Sequence, residues 1–95
     1  MKNLFDIKDK VIVITGGCGI LGKNIANYLA EQGAKIVILD RVEEAGRELE
    51  AELNRKSEAL FLVTDVLNKE VLEENKKAIL ERFGTIDVLL NAAGG

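Results

Sequence analysis

The strongest constraint in this sequence is the alternation of short apolar runs with segments of helical periodicity. Four runs rich in Val, Ile and Leu occupy residues 10–15, 34–40, 59–65 and 85–95. Such runs are typical of strands that are buried on both faces of a sheet. In the segment 20–32 between the first two runs, Leu21, Ile25 and Leu29 recur every four residues and predict the apolar face of a helix. The chain is therefore predicted to follow the order β-α-β-α-β-α-β.

This order restricts how the strands can pair. Strands separated by single helices pair in parallel through right-handed crossovers, and parallel sheets need helices on both faces. Gly33 and Gly84 follow the first and third helical segments, where glycine is a common C-terminal residue. We therefore predict the α/β class, with a doubly wound parallel sheet.

Composition excludes several classes of function. The net charge is −3 and basic residues are scattered, so neither nucleic acid nor a membrane surface is an expected partner. Cys18 is the only cysteine and there is no histidine, which rules out an internal disulfide and disfavours a metal site. No apolar run approaches the roughly 20 residues that span a bilayer, and "MKNLFDIKDK" lacks the apolar core of a secretory signal. A cytoplasmic location is expected.

Four of the nine glycines lie between residues 16 and 22, where the first strand passes into the first helix. Gly16 suits a tight turn, and Gly19 lacks a Cβ that would hinder a diphosphate. Gly22 would let the helix pack tightly on the sheet. The free N–H groups of a helix start attract phosphate. A glycine-rich turn that only reverses the direction of the chain is the alternative interpretation.

Polar residues follow the predicted strands at the same edge of the sheet. Asp40 lies 24 positions after Gly16, close to the spacing of an acid that binds an adenosine ribose. Its carboxylate would accept both ribose hydroxyls and repel a 2′-phosphate, which predicts NAD over NADP. The neighbouring Arg41 could tolerate that phosphate. Asp65 and Asn91 end the third and fourth predicted strands. The alternative interpretation of Asp40 is a solvated acid at the end of a strand.

These residues resemble the short-chain dehydrogenase/reductase family, and the resemblance covers the chain from "FDIKDKVIVITGG" to "NAAGG". It implies a Rossmann-like sheet in strand order 3-2-1-4, with residues 1–95 as the N-terminal NAD-binding part of the domain. Asp65-Val66 resembles the pair that holds adenine, and the segment from Asn91 to Gly94 resembles a motif beside the ribose and nicotinamide. The cofactor-binding residues that the resemblance implies are Gly16, Gly19, Ile20, Leu21, Gly22, Asp40, Arg41, Asp65, Val66, Asn91, Ala92, Ala93 and Gly94.

The implied activity is hydride transfer between NAD and a carbonyl or alcohol by a homo-oligomeric enzyme. Ile20 stands where the single-domain branch of the family usually has glycine, a feature nearer to the extended branch. The two ends of the chain favour the single-domain branch, in which the sequence looks most like oxidoreductases of sugar acids such as gluconate and mannonate. Ala92 replaces the second asparagine of its motif, which removes a side-chain amide.

The catalytic Ser, Tyr and Lys of this family lie beyond the segment matched here, in proteins of roughly 250 residues. We therefore expect no catalytic residue in this chain, no activity from it alone, and a fragment of a longer dehydrogenase. Tyr28, the only tyrosine, falls on the first helix and has no expected role in the reaction. Two alternatives remain: a non-catalytic module that senses NAD, and a methyltransferase that binds S-adenosylmethionine.

Overall fold

The structure is a computed structural model that describes residues 6–92. It confirms the predicted alternation of strands and helices. The elements are β1 (Val11–Thr15), α1 (Ile20–Glu31), β2 (Lys35–Asp40), α2 (Glu43–Asn54), β3 (Ala59–Val63), α3 (Lys69–Phe83) and β4 (Val88–Asn91). The third strand ends at Val63, so Asp65 lies two residues beyond it and not at its last position.

The four strands form one parallel sheet in the order β3-β2-β1-β4, which confirms the predicted order 3-2-1-4. Val13 of β1 lies opposite Val37 of β2 on one side and Leu89 of β4 on the other. The chain leaves β1 toward β2 and β3 and later returns to add β4 on the opposite side. Open parallel sheets bind ligands at such a reversal, outside the carboxyl ends of the strands.

The central strands β1 and β2 are buried on both faces, which explains why they are almost continuously apolar, whereas Leu89 of the edge strand β4 is 66% exposed. One face carries Ile12, Ile14, Ile36 and Ile38, packed with buried residues of α1 and α2. The opposite face carries Val11, Val13, Val37 and Leu39, packed with Ile79 of α3. None of the helices within residues 6–92 is long and apolar enough to cross a membrane.

Helix α1 packs through the apolar face that the sequence predicts, which includes Ala26 and Ala30 beside Ile25 and Leu29, with the exception of Leu21. Gly22, Ala26 and Ala30 are buried, whereas Leu21 is 63% exposed. Ile25 and Leu29 pack at the sides of the contact. The small residues let the helix backbone lie close to the layer beneath it, and the larger side chains then fill the flanks. The prediction that Leu21 belongs to the buried face was wrong.

The outer edge of the sheet at β3 is satisfied by side chains of α2. The amide of Asn54 donates to the Ala59 carbonyl at 3.1 Å, and its oxygen accepts from the Ala59 N–H at 2.9 Å. A carboxylate oxygen of Glu50 accepts from the Phe61 N–H at 2.7 Å. These bonds occupy backbone groups that an edge strand otherwise exposes to further pairing.

We predict that Gly46→Ala destabilises the fold, although alanine is the better helix former by about 1 kcal/mol. A Cβ at this buried position of α2 would overlap the ring of Phe61, which is itself 1% exposed. Overpacking of this kind costs about 1–3 kcal/mol. Urea unfolding followed by circular dichroism should show the loss, whereas Glu48→Ala on the exposed side of α2 should change stability by less than about 0.5 kcal/mol. An unchanged or higher stability of Gly46→Ala would contradict this packing.

Candidate functional site

The turn from β1 into α1 lies over the end of β2. Gly16 adopts a φ of 70°, a left-handed conformation that glycine reaches without the usual penalty of a Cβ. Its N–H donates to the Leu39 carbonyl at 2.8 Å, which joins the turn to the last part of β2. The sharp turn predicted at Gly16 is therefore present in the structure.

Gly22 and Gly19 face very different surroundings. A Cβ at Gly22 would lie 2.6 Å from the Gly17 Cα and 2.8 Å from the Gly16 oxygen, so α1 rests directly on the turn. The sequence predicted close packing at Gly22 against the sheet, and the contact is with the turn instead. A Cβ at Gly19 would come no closer than 3.7 Å to the Gly16 oxygen. The space beside Gly19 is consequently open.

The start of α1 differs from the starts of the other two helices. Its N-cap, Gly19, provides no side-chain hydrogen bond, and its first turn contains no acidic residue. Helix α2 carries Glu43 and Glu44 in its first turn, and the Asn68 side chain of α3 accepts from two backbone N–H groups. Within residues 6–92, the start of α1 therefore has neither a side-chain cap nor an acidic residue in its own first turn, and it is suited to an external anion.

Asp40 holds the turn against the end of β2. One of its carboxylate oxygens accepts from the Cys18 N–H at 3.1 Å, and the other accepts from the Val42 N–H at 3.0 Å. A carboxylate has about four acceptor positions, so these two bonds leave capacity for further donors. Asp40 is thus fixed in position while it remains able to bind a hydroxyl.

A cavity of about 300 Å³ opens at this edge of the sheet. It brings together six of the residues predicted from sequence and two others; its lining is Gly16, Gly19, Leu39, Asp40, Arg41, Thr64, Val66 and Ala92. The turn, the ends of β2 and β4, and the segment after β3 all contribute. The predicted meeting of polar and small residues at one edge is therefore observed for this group.

The remaining predicted residues lie elsewhere. Ile20 and Leu21 are 84% and 63% exposed in the first turn of α1, and Gly22 is covered by the glycine turn. Asp65 does not line the cavity, and its carboxylate accepts from the Leu67 N–H at 3.0 Å within its own turn. Ala93 and Gly94 lie outside the described residues.

Asn91 faces a second, larger cavity, of about 630 Å³, between α3 and the sheet. Its side-chain oxygen accepts from the Thr15 hydroxyl at 3.0 Å, which joins the ends of β4 and β1. Most of this cavity is lined by apolar side chains, including Val13 and Ile79. Leu39 and Val66 line both cavities, so the two spaces adjoin.

Two residues near the site escaped the sequence analysis. Thr64 and Asn75 are buried, and the Asn75 amide donates to the Thr64 hydroxyl at 2.7 Å. Asn75 lies three residues after Leu72 and four before Ile79, both of which pack against the sheet. A polar residue at helical spacing inside an apolar stripe is the signal that would have identified it.

Cys18 lies in the turn beside Asp40. Burial, the charge of Asp40 and a hydrogen bond to Asp40 raise the pKa of the Cys18 thiol from 9.0 to about 11, against a smaller lowering effect of Lys23. The thiolate is the reactive form, so Cys18 is a poor nucleophile at neutral pH.

Comparison with known proteins identifies the family. The short chain dehydrogenase family model matches residues 10–95. The chain belongs to the short-chain dehydrogenase family. The oxidoreductase UxuB of Bacillus subtilis strain 168, itself uncharacterized, is 40% identical over 91 residues, which cover 95% of this chain and 33% of UxuB.

Solved structures of the family share the fold. A Haemophilus influenza protein assigned as a D-mannonate oxidoreductase, with bound NAD, superposes with a TM-score of 0.89 at 37% identity, covering 95% of this chain and 32% of that protein. L-Sorbose reductase from Gluconobacter frateurii, complexed with NADPH and L-sorbose, gives 0.87 at 32% identity, covering 96% and 36%. The chain thus spans about a third of the length of these similar proteins.

We predict slow alkylation of Cys18. At pH 8 a thiol with a pKa of about 11 provides about 100-fold less thiolate than one with a pKa of 9.0. Iodoacetamide labelling followed by mass spectrometry should be correspondingly slow and should accelerate as the pH rises toward 11. Asp40→Asn removes the charge that disfavours the thiolate and should increase the rate at pH 8. Labelling of the unsubstituted protein as fast as that of an unstructured cysteine peptide would contradict the burial and charge described for this turn.

Proposed function

We propose that this chain binds the adenosine diphosphate half of a nicotinamide dinucleotide, as the N-terminal NAD-binding part, residues 1–95, of an oxidoreductase. One observation carries the proposal: the uncompensated start of α1 and the Asp40 carboxylate border the same cavity. The first attracts phosphate and the second accepts hydroxyl groups. These are the two polar features of an adenosine diphosphate.

The phosphate side of the cavity fits a diphosphate. The first N–H groups of α1 lack intrahelical partners, as in any α-helix, and no side chain of the described residues caps them. Gly19 leaves open the space that a Cβ would fill, so an anion can approach the backbone there. In this proposal the backbone of residues 19–22 supplies the hydrogen bonds, while Ile20 and Leu21 contribute their N–H groups and leave their side chains in solvent.

The opposite side of the cavity fits adenosine. Asp40 would accept the ribose hydroxyls, and Val66, with Leu39, offers an apolar surface to the adenine ring. A volume of about 300 Å³ is at the low end for small-molecule sites, which suits the adenosine portion more than a whole dinucleotide. Asn91 and Ala92, at the end of β4, would lie on the side toward the nicotinamide.

The bound nicotinamide would supply the hydride donor or acceptor for an alcohol or carbonyl substrate. The residues of this chain would bind and orient the cofactor. The side chain of Tyr28 projects into solvent from α1, so no acid or base for the reaction is assigned here. We propose that those groups lie in the part of the enzyme that this sequence does not cover, and that the 95-residue chain alone has no activity.

The favoured cofactor is NAD. The Asp40 carboxylate, in the lining of the cavity, would repel the 2′-phosphate of NADP, whereas Arg41 in the same lining would attract it. The similar D-mannonate oxidoreductase contains NAD and the similar L-sorbose reductase contains NADPH. Two backbone N–H groups hold the Asp40 carboxylate in place. We therefore expect its repulsion of the 2′-phosphate to outweigh the attraction by Arg41.

Sugar acids and related polyols are the proposed substrate class, because the similar proteins are assigned to mannonate and sorbose. The test is calorimetric titration of the complete natural polypeptide with NADH and NADPH, followed by assays of hydride transfer with a panel of sugar acids and ketoses. We expect NADH binding and turnover of at least one member of the panel. Absence of binding to either cofactor would contradict the proposed function.

We predict that Gly19→Ser increases stability and weakens NADH binding. Serine suits the extended N-cap conformation of residue 19, with φ −73° and ψ 169°, and it can satisfy an N–H group at the helix start. A gain of a few tenths of a kcal/mol is expected over glycine. The new side chain would occupy the phosphate position, so NADH affinity should fall at least about tenfold.

The matched control for Gly19→Ser is Asn68→Ala, which removes the cap of α3. It should lower the free energy of unfolding by about 1 kcal/mol and leave NADH affinity unchanged. Thermal unfolding and calorimetry measure the two effects. Normal NADH binding by Gly19→Ser would exclude a phosphate at the start of α1.

We also predict that Asp40→Asn shifts preference toward NADPH. The substitution removes the repulsive charge and weakens hydrogen bonds to the ribose hydroxyls, which are worth about 1.5–3 kcal/mol each when one partner is charged. The ratio of NADH to NADPH affinity should fall by about 10- to 100-fold. Glu81→Gln, an equal change of charge on the exposed side of α3, should leave the ratio unaltered. An unchanged ratio in Asp40→Asn would show that this carboxylate does not face the ribose.

A further inference from the structure

We infer that Asn75 of α3 is a positioning residue that fixes the adenine-facing wall of the cavity through the hydroxyl of Thr64. The inference rests on the proposed function, because it concerns the same cavity and the same ligand. Asn75 lies on a helix that contributes no lining residue to that cavity, whereas Thr64 and Val66 form part of its wall. The hydrogen bond between Asn75 and Thr64 links the two.

The direction of this hydrogen bond is fixed by chemistry. The Thr64 hydroxyl donates its one hydrogen to the Leu62 carbonyl at 2.9 Å, so it must accept from the Asn75 amide at 2.7 Å. The backbone N–H of Thr64 donates to the Asp40 carbonyl at 2.8 Å. Thr64 is thereby joined to β3, to the end of β2 and to α3.

Burial makes the pair costly to rearrange. Thr64 is 1% exposed and Asn75 is 8% exposed, and they are the buried polar residues among residues 6–92. A buried amide or hydroxyl that loses its partner also loses the compensation for leaving water. The arrangement in which both are satisfied is therefore strongly preferred, and it defines where the segment 64–66 lies relative to α3.

The position of Asn75 explains why this link matters for binding. Asn75 lines the larger apolar cavity, and Val66 and Leu39 stand between that cavity and the candidate site. The Asn75–Thr64 bond therefore ties the wall of the candidate site to α3, which itself contributes no lining residue to that site.

The test compares affinity for 5′-AMP, which carries the adenosine and one phosphate, in variants of the complete natural polypeptide. Thr64→Val and Asn75→Leu should each weaken binding by about tenfold, because each removes the hydrogen bond between these two buried side chains. The double variant should be no weaker than either single variant, because both remove the same link. Thr64→Ser keeps the hydroxyl and should restore affinity to within about twofold.

Asn54→Leu is the control for loss of stability alone. Asn54 also joins a helix to a strand, through two bonds to Ala59, but it lies at the other end of the sheet. This variant should unfold at a lower temperature and bind 5′-AMP with unchanged affinity. Equal weakening by Asn54→Leu, or normal binding by Asn75→Leu, would overturn the role of Asn75 while the proposed function stands. If the unsubstituted protein binds neither 5′-AMP nor NADH, the proposed function fails and this inference fails with it.

Hydrogen exchange on the unsubstituted protein keeps the inference testable should a variant not fold. Binding of 5′-AMP should slow exchange of backbone amides in residues 64–67 and in the middle of α3 around Asn75. The amides of residues 50–54 in α2 should show no change. Protection confined to residues 64–67, with none in α3, would overturn the inference.

Discussion

The close approach of α1 to the turn before it is the contact on which the candidate site depends. Gly22 places the helix against the backbone of Gly16 and Gly17, at a distance that no side chain at residue 22 would allow. This contact aims the first N–H groups of α1 at the carboxyl ends of the strands. The Gly16–Leu39 and Cys18–Asp40 hydrogen bonds then hold the same turn against β2. The phosphate-attracting and hydroxyl-accepting groups are neighbours because one short segment connects them.

The three helix starts illustrate the conflict between stability and binding. Asn68 caps α3, and two glutamates compensate the dipole of α2, which are ordinary ways to stabilise a helix. The start of α1 has neither, so it gives up the few tenths of a kcal/mol that a side-chain cap would add over glycine. Departures from local optimisation of this kind are expected at functional sites. The uncapped start of α1 is better evidence for a phosphate site than the number of glycines is, because a glycine-rich turn can serve packing alone.

The sequence was sufficient for those parts of the fold that depend on local pattern. Continuous apolar strands, helical spacing and the glycines at residues 33 and 84 predict the elements, and parallel pairing follows from their alternation. It was insufficient wherever three-dimensional packing decides between similar residues. Leu21 and Gly22 are neighbours at the start of α1, and the closeness of the helix to the turn buries Gly22 and leaves Leu21 exposed. Asn75 and Thr64 are eleven residues apart and become partners only when α3 lies across the sheet.

Asp40 shows why a residue can be predicted correctly in position and still be incompletely understood from sequence. Its spacing from Gly16 indicates a ribose-binding acid, and the structure places it in the lining of the cavity. Both carboxylate oxygens also accept backbone N–H groups, one from the glycine-rich turn and one from the start of α2. A change of cofactor preference through residue 40 therefore also loosens the turn that would hold the diphosphate. Among the described residues Arg41 lines the cavity without a hydrogen bond to the turn, so we expect a substitution at residue 41 to change NADP affinity with less effect on the turn than one at residue 40.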